Sequence, residues 1–289
     1  MPSALLFTGM DGIGKTLMAK EFVRALLCRA EAGGPAASCG ACPDCLSVDK
    51  GIHPDFKRVG ADYQASLREE EAAKQKTLRV ETIRHLRRDM EMRSLMGFWK
   101  IAVIEDAHTL EPEAANALLK ILEEPPEKTL WILLTAQRER MLKTVVSRCF
   151  SVPFAPLSPA TVSELLMAKG IDAARASKLC RICEGSVSRA LSLDENLDEY
   201  TALESNPAAA IAAAEGLPRE LYLARLKVES ALYGLAQALR LKYLEGAEPF
   251  GRVEGPLRKL LALRQALASN ADPRLVMILA GETARLQPS

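Results

Sequence analysis

The sequence predicts an α/β protein in which a parallel sheet is followed by an all-helical region. A glycine-rich loop stands between a strand signal and a helix signal near the N-terminus. Short apolar runs alternate with helical patterns over roughly the first 150 residues, an order typical of a parallel sheet with crossover helices. After residues 153–159 the strand signals disappear. A chain of 289 residues has room for two or three domains.

Three continuous apolar runs predict strands of the sheet, at residues 5–7, 101–104 and 130–135. Runs without polar alternation are typical of strands that are buried on both faces. Apolar residues at helical spacing predict helices over residues 16–27, 80–96 and 113–122. The pair Pro125-Pro126 ends the last of these helices, because proline breaks the helical hydrogen-bond ladder.

The second half of the chain is predicted to be helical throughout. Residues 161–193 form a small helical unit, residues 195–207 a polar linker, and the remaining residues further helices. We therefore divide the chain into three domains, with bounds 1–153, 154–197 and 198–289. The first of them contains an inserted module of clustered cysteines at residues 28–45.

The composition excludes several classes of protein. The 38 Lys and Arg nearly balance the 37 Asp and Glu, which argues against a strongly basic protein that coats nucleic acid by itself. Aromatic residues make up only 5% of the chain, so a base-stacking platform for single strands is not expected. No run approaches the ~20 apolar residues of a membrane helix, and no secretion signal is visible. We expect a cytoplasmic protein without a membrane partner, whose cysteines are not paired in structural disulfides.

A phosphate-binding loop is predicted from Gly9 to Thr16, a full match to G-x-x-x-x-G-K-[ST]. The backbone N–H groups around Gly9, Gly12 and Gly14 would close on phosphate oxygens at the helix N-terminus. Lys15 would reach the β- and γ-phosphates of ATP, and the Thr16 hydroxyl would ligate Mg²⁺. The alternatives are a chance glycine turn, and a loop that binds nucleotide without hydrolysing it.

Two carboxylates follow the second predicted strand and could complete this site. Glu105 would hold Mg²⁺, and Asp106 would orient the attacking water as the catalytic base. The usual order in such ATPases is Asp then Glu, so the base is one methylene short here. A displacement of about 1 Å can cost roughly 10²-fold in rate. We therefore expect ATP binding with weak or no hydrolysis, and two acids that merely cap the strand are the alternative.

Four cysteines form a candidate metal site, with Cys39, Cys42 and Cys45 in a C-x₂-C-x₂-C run and Cys28 upstream. Four thiolates close a tetrahedral Zn²⁺ site of the structural type and leave no position for a catalytic water. An iron–sulfur cluster and free thiols are the alternatives. Cys180 and Cys183 stand apart on a helical stretch and are predicted to be buried core thiols.

Several blocks together resemble the AAA+ clamp-loader family, and within it the delta-prime branch of bacterial DNA polymerase III. They are the phosphate loop, the cysteine module, Gly51-Ile52-His53-Pro54-Asp55, residues 103–107 and 115–126, Ser147-Arg148-Cys149 and residues 270–276. The block at 115–126 and the Ser-Arg-Cys block are far more specific than a lone phosphate loop. Together the blocks span nearly the whole chain.

This resemblance implies an AAA+ domain over 1–153, a helical lid over 154–197 and a helical collar over 198–289. It also implies a hetero-pentamer with gamma/tau and delta subunits, which opens a sliding clamp and places it on primed DNA. ATP lies between neighbouring subunits of such loaders. The subunit would act as a stator, and Arg148 would reach a neighbour's ATP as an arginine finger. A surface salt bridge is the alternative for Arg148.

Three departures from the family pattern point away from an efficient ATPase. A polar residue common near the end of the third predicted strand is replaced by Ala136, with Thr135 one position earlier. An arginine of ATP-binding relatives is replaced by Ser188, with Arg189 one position later. The chain begins eight residues before the phosphate loop, where relatives usually have a helix that helps form the adenine pocket. The competing hypotheses are a gamma/tau-type motor subunit and an unrelated zinc-containing nucleotide-binding regulator.

A basic helix face is a secondary candidate for contact with DNA phosphates. It comprises Arg84, Arg87, Arg88 and Arg93, on or just after the helix that precedes the second predicted strand. Such charges could track a backbone without reading its sequence. The alternative is an ordinary solvated helix face.

Overall fold

The computed structural model describes residues 2–30, 38–72, 75, 77–96, 99–195, 203 and 207–284. The chain divides into two compact units, Met1–Pro156 and Leu157–Ser289. Among the described residues, no helix is long and apolar enough to cross a membrane.

The first unit is built on a five-stranded sheet with the order β2-β3-β4-β1-β5, and every pairing in it is parallel. The strands are β1 (Ala4–Thr8), β2 (Phe56–Val59), β3 (Lys100–Ile104), β4 (Thr129–Thr135) and β5 (Phe150–Pro153). The helices are α1 (Lys15–Leu27), α2 (Pro43–Asp49), α3 (Ala61–Arg68), α4 (Val80–Glu91), α5 (Pro112–Glu123) and α6 (Lys143–Val146). The prediction of an α/β fold with a parallel sheet is confirmed.

The central strands are continuous apolar runs because both faces of the sheet are covered. Every residue of β3 and β4 is buried. Trp131 and Leu133 pack into one core with α4 and α5, whereas Ile132 and Leu134 pack into another with α1. Alternate residues of β4 thus serve opposite faces. This double burial fixes the strand ends, and the candidate site lies where β1 and β3 end.

The two edge strands, β2 and β5, were not predicted. Strand β2 carries Lys57 and Arg58, and three of the four residues of β5 are exposed. Edge strands bury less apolar surface than central ones, so their sequences lack the continuous apolar run that identifies β3 and β4.

Helix α4 ends at Glu91, and its predicted extension to residue 96 is wrong. The cause is a buried carboxylate outside the helix. Asp55 accepts hydrogen bonds from Ser94 Oγ at 2.8 Å and from the backbone N–H groups of Leu95 and Met96, both at 2.9 Å. These bonds hold residues 94–96 out of the helix. The sequence around α4 gives no sign of a partner that lies 40 positions away in the chain at Leu95.

The second unit contains helices packed around one core. Its described helices are α7 (Pro159–Ala168), α8 (Ala173–Ile182), α9 (Val187–Asp194), α10 (Pro207–Glu215), α11 (Leu221–Leu244), α12 (Phe250–Ala268) and α13 (Pro273–Ala284). Leu166 and Leu179 share this core with Val228 and Met277 from later helices. The predicted linker at 195–207 lies almost wholly outside the described residues. The division of this unit at residue 197 into a lid and a collar stays a prediction.

Candidate functional site

The phosphate loop connects the end of β1 to the start of α1. Three of its glycines have positive φ, namely Gly9 at 147°, Gly12 at 76° and Gly14 at 101°. A Cβ atom on Gly9 would lie 2.6 Å from both Ile13 Cδ1 and the carbonyl oxygen of Phe154. Gly14 is the N-cap of α1, so the loop delivers the unpaired N–H groups of the helix's first turn to the cavity.

Lys15 is folded back onto the loop, and its side chain is only 8% exposed. Its Nζ atom donates to the carbonyl oxygens of Gly9 at 2.6 Å and Met10 at 2.7 Å. Burial lowers the pKa of Lys15, against the opposing charges of Asp11 and Asp106. The ammonium group therefore already has oxygen partners, which a phosphate would have to replace.

The cavity beside the loop has a volume of about 350 Å³. It is lined by the loop residues, by the exposed Thr16 and by both predicted acids, Glu105 and Asp106. The structure therefore brings together the residues that the sequence predicts to bind ATP and Mg²⁺. Asp106 is exposed and adopts a left-handed backbone conformation with φ 46°.

Glu105 forms an ion pair that was not predicted. Its Oε2 atom lies 3.0 Å from Nη2 of Arg58, at the end of the neighbouring strand β2. The hydrogen bond and the charge of Glu105 raise the pKa of Arg58 against the effect of burial. Before Glu105 can hold Mg²⁺, it has to share or release this guanidinium. The only sign of this ion pair in the sequence is a basic residue, Arg58, near the end of β2. Because β2 was not predicted, the sequence could not place Arg58 beside Glu105.

Polar residues stand next to the two positions that depart from the family pattern, Thr135 before Ala136 and Arg189 after Ser188, and both form internal contacts. Thr135 is buried, and its hydroxyl lies 3.3 Å from His108 Nδ1 and accepts the backbone N–H of Gln137 at 3.1 Å. In the second unit, Arg189 bonds Glu184 at 3.2 Å and the Tyr233 hydroxyl at 3.3 Å. Both polar side chains are therefore engaged within the protein.

Arg148 lies in the turn after α6 and is exposed. Its Nη2 atom is 2.7 Å from Oε1 of Glu123, the last residue of α5, and Nη1 donates to the carbonyl of Thr144 at 3.0 Å. The neighbouring Cys149 is a poor nucleophile, because burial raises the pKa of its thiol to about 11. The Ser147-Arg148-Cys149 turn thus holds a guanidinium at the surface in a defined orientation.

The four predicted metal ligands meet at the far end of α1. Cys28 is the C-cap of α1, and Cys42 is the N-cap of α2, where its sulfur accepts the N–H of Cys45. The sulfurs of these three cysteines and of Cys39 all lie within 4.8 Å of one another. The Cys28–Cys42 and Cys39–Cys45 sulfur pairs are each 3.9 Å apart. A tetrahedron with Zn–S bonds of about 2.3 Å has S–S edges of about 3.8 Å, so the cluster could bind such a metal ion.

The surroundings of the cluster affect its thiols and connect it to the rest of the unit. Backbone N–H groups of Ala41 and Cys42 lower the pKa of the Cys39 thiol to about 6, whereas burial raises the pKa of the Cys45 thiol to about 12. Arg29 donates to both carboxylate oxygens of Asp44, at 2.7 and 2.8 Å. Asp44 also lies 3.6 Å from the buried His53, which connects the Gly-Ile-His-Pro-Asp block to the module.

The predicted DNA-contacting arginines lie on the surface of the first unit. Arg84, Arg87, Arg88 and Arg93 are all exposed. Arg87 forms an ion pair with Glu91 at 2.6 Å, one turn further along α4. Contact of this face with DNA stays a prediction.

Comparisons with known proteins find subunits of DNA polymerase III. A protein-family profile described as "DNA polymerase III, delta subunit" matches residues 1–158. DNA polymerase III subunit delta' of Bacillus subtilis (strain 168) is 30% identical over 197 residues, 68% of this chain and 55% of the relative. The subunit delta' of Escherichia coli (strain K12) is 30% identical over 291 aligned residues, 98% of this chain and 81% of the relative.

A subunit of another type also matches. DNA polymerase III subunit tau/gamma of Haemophilus influenzae is 31% identical over 198 residues, 66% of this chain and 27% of the relative. The matched region therefore spans about half of the B. subtilis protein and about a quarter of the H. influenzae protein.

Proposed function

The chain belongs to the delta-prime family of DNA polymerase III clamp-loader subunits, and we propose that it helps load the sliding clamp onto primed DNA. Its parallel sheet followed by helices agrees with the AAA+ fold that the resemblance to this family implies. We propose that it assembles with gamma/tau and delta subunits into a hetero-pentamer in the cytoplasm. Within that complex it acts as a stator and donates an arginine finger to a neighbour's ATP.

The observation that carries this proposal is the environment of Arg148. Its guanidinium is exposed and is braced by the carboxylate of Glu123 at 2.7 Å and by the carbonyl of Thr144 at 3.0 Å. A planar guanidinium can meet two phosphate oxygens at once, which suits the charge that develops on a transferring phosphoryl group. Because these two contacts already restrict the Arg148 side chain, binding a phosphate would cost little further side-chain entropy.

The chain's own nucleotide site supports the role of stator over that of motor. Lys15 is bonded to loop carbonyls, and Glu105 is paired with Arg58. Both groups have to exchange these partners before they can serve Mg²⁺ and ATP. The shortened base, Asp106, adds to this expectation. We propose that the site binds ATP with Mg²⁺ and turns it over slowly or not at all.

We propose that Cys28, Cys39, Cys42 and Cys45 hold a structural Zn²⁺. Four thiolates complete a tetrahedral shell, so the ion would stabilise the module without taking part in catalysis. Elemental analysis of the purified chain tests this proposal. About one equivalent of zinc is expected, and less than about half an equivalent without iron–sulfur absorbance contradicts it.

Reconstitution with the other loader subunits tests the assigned role of Arg148. An arginine finger is worth about 10³–10⁵ in rate at the site that it serves. Other sites in the complex keep hydrolysing, so Arg148→Ala should lower clamp-stimulated ATPase of the whole complex only by the share of the site that it serves, up to about twofold. Assembly, followed by size-exclusion chromatography, should be unchanged. The matched control is Arg140→Ala, another exposed arginine of the same unit. Normal hydrolysis by the Arg148→Ala complex would refute the role.

A motor subunit of the gamma/tau type is the second candidate, because the phosphate loop is intact and tau/gamma proteins match. The two candidates differ in the activity of the isolated chain. Steady-state ATPase should stay near background for a stator. Strong turnover that Lys15→Ala abolishes would favour the motor instead.

A further inference from the structure

The phosphate loop of this chain carries an anion of its own, the side chain of Asp11. This residue lies in the middle of the loop, between Met10 and Gly12. Its Oδ1 atom is 3.6 Å from Lys15 Nζ, and its side chain is 67% exposed. Among the residues that the structure describes, Lys15 is the one ion-pair partner of Asp11. The carboxylate therefore lies beside the ammonium group that a phosphate would have to approach.

A negative charge at this position opposes what the rest of the loop provides. The loop delivers backbone N–H groups from the first turn of α1, and the start of a helix carries partial positive charge. Both features attract phosphate oxygens. The G-x-x-x-x-G-K-[ST] pattern accepts any residue at this position, so the carboxylate is a feature of this chain and not of the motif.

The cavity beside the loop has a negative charge balance. Three carboxylates line it, those of Asp11, Glu105 and Asp106, whereas Lys15 is its one lining cation. The guanidinium of Arg58 offsets one of the three, because it pairs with Glu105 at 3.0 Å. One ammonium and one guanidinium against three carboxylates still leave an excess of negative charge. A polyphosphate that enters without a metal ion therefore meets repulsion as well as attraction.

The contact between Asp11 and Lys15 contributes little to the fold. Exposed ion pairs add little to stability, and Lys15 already donates to the carbonyl oxygens of Gly9 and Met10. Asp11 can therefore be replaced without unfolding the loop. Its main effect is expected on a second anion that comes to the same ammonium group, because like charges at short distance repel each other.

We propose that Asp11 sets the ligand specificity of the phosphate loop: it repels metal-free polyphosphate, so that the site prefers nucleotide as its Mg²⁺ complex. The inference rests on the ATP binding proposed above. A divalent ion on the phosphates offsets part of their charge and thereby weakens the repulsion from the carboxylate. Asp11 acts through its charge on the choice of ligand, so it is a specificity-determining residue and not a catalytic one.

The size of the effect follows from the interaction of two charges. Two unit charges about 4 Å apart change an equilibrium constant about fivefold in water, and by more where solvent is partly excluded. Asp11→Asn should therefore tighten the binding of metal-free ATP about 5–50-fold. The binding of Mg²⁺-ATP should change by less than about threefold, because the ion already offsets the charge that Asp11 repels.

Isothermal titration calorimetry of the full chain tests the inference. ATP is titrated once with excess Mg²⁺ and once with EDTA, and the ratio of the two Kd values is compared between variants. Asp11→Asn should lower the ratio, whereas Asp11→Glu should keep it high because the charge remains. Lys15→Met should abolish the binding of both forms. The control for net charge is Glu113→Gln, an exposed residue of α5 that does not line the cavity, and it should leave the ratio unchanged.

Three results would overturn the inference. The first is an unchanged ratio in Asp11→Asn, and the second is an equal change in Glu113→Gln, which would indicate a general effect of net charge. The third is a loss of Mg²⁺-ATP affinity in Asp11→Asn with unaltered binding of metal-free ATP, which would make Asp11 a metal ligand. If wild type binds neither form of ATP, the ATP-binding proposal fails together with this inference. If wild type binds Mg²⁺-ATP and the ratio does not respond to Asp11→Asn, this inference alone fails.

Discussion

The phosphate loop and the Ser147-Arg148-Cys149 turn belong to the same unit, but their charged groups differ in availability. In the loop region, Lys15 is bonded to two carbonyls and Glu105 is paired with Arg58. In the turn, Arg148 is equally well bonded, yet its guanidinium stays exposed beside Glu123.

The two sites differ in the contacts that an incoming ligand has to break. A ligand of the loop must displace buried contacts of Lys15, whereas a ligand of Arg148 needs only an approach from solvent. A complete sequence motif therefore says which chemistry is present but not whether it is available.

Gly9→Ala should cause the largest effect, because it disrupts the backbone of the phosphate loop at a position with no room for a side chain. The new Cβ would meet Ile13 and a backbone oxygen at 2.6 Å, and the φ of 147° disfavours any side chain. Overpacking and backbone strain together should destabilise the protein by about 2–4 kcal/mol, measured by urea denaturation.

Gly51→Ala is the matched control for this prediction. Gly51 has a φ of 70°, and a Cβ there would meet nothing within 4 Å. The left-handed conformation alone should cost about 1–2 kcal/mol. Equal losses in the two variants would show that the close contacts at Gly9 do not matter.

Arg58→Met tests whether the ion pair limits the nucleotide site. The change frees Glu105 and leaves a carboxylate for Mg²⁺, so the chain should bind Mg²⁺-ATP more tightly, by about 3–10-fold in Kd. Isothermal titration calorimetry measures the effect. Lys57→Met on the same strand is the control, because Lys57 pairs with Asp89 at 3.5 Å and not with Glu105. Unchanged or weaker binding in Arg58→Met would remove the ion pair as an explanation.

Glu123→Gln tests the other half of the contrast. The exposed pair contributes less than about 1 kcal/mol to stability, so folding should be almost unaffected. Loss of this ion pair should leave the guanidinium less well oriented and lower clamp-stimulated ATPase of the reconstituted complex by less than Arg148→Ala does, within about twofold. Glu124→Gln, at the next exposed position, is the control. If both variants keep full ATPase, Glu123 does not orient Arg148.

Sequence reasoning succeeded where burial leaves a periodic signal. Strands β3 and β4 were predicted because burial on both faces makes them continuously apolar. Strands β2 and β5 were missed because an edge strand carries exposed residues such as Arg58 and Phe150. The end of α4 was misplaced because Asp55, far away in the chain, fixes residues 94–96.

The candidate sites divide in the same way. The sequence could propose Cys28 as the fourth ligand from the number and spacing of cysteines, and the structure brings its sulfur to the other three. It gave no means of finding the Arg58–Glu105 pair, because that contact needs β2 beside β3 in the sheet.

The smallest effect on stability is expected at Glu184 in the second unit. This carboxylate pairs with arginines, as Glu105 pairs with Arg58. It accepts hydrogen bonds from Tyr233 at 3.0 Å and Gln237 at 2.9 Å, and it pairs with Arg240 at 2.5 Å. Burial would raise the pKa of Glu184, but these partners together lower it. The charged form therefore stabilises the fold above the unfolded-state pKa of about 4.3, and this stability is lost as pH falls through the lower folded value.

Glu184→Gln should remove that dependence. Between about pH 5 and pH 3, wild type should lose more free energy of unfolding than the variant does, by less than about 1 kcal/mol because the site is partly exposed. Urea denaturation at several pH values measures the difference, with the exposed Glu282→Gln as control. Parallel pH curves for wild type and Glu184→Gln would mean that the partners of Glu184 provide no net stabilisation of its charge. The contacts of Glu184 would then differ from the Arg58–Glu105 ion pair, because they would have no measurable effect on the protonation of their carboxylate.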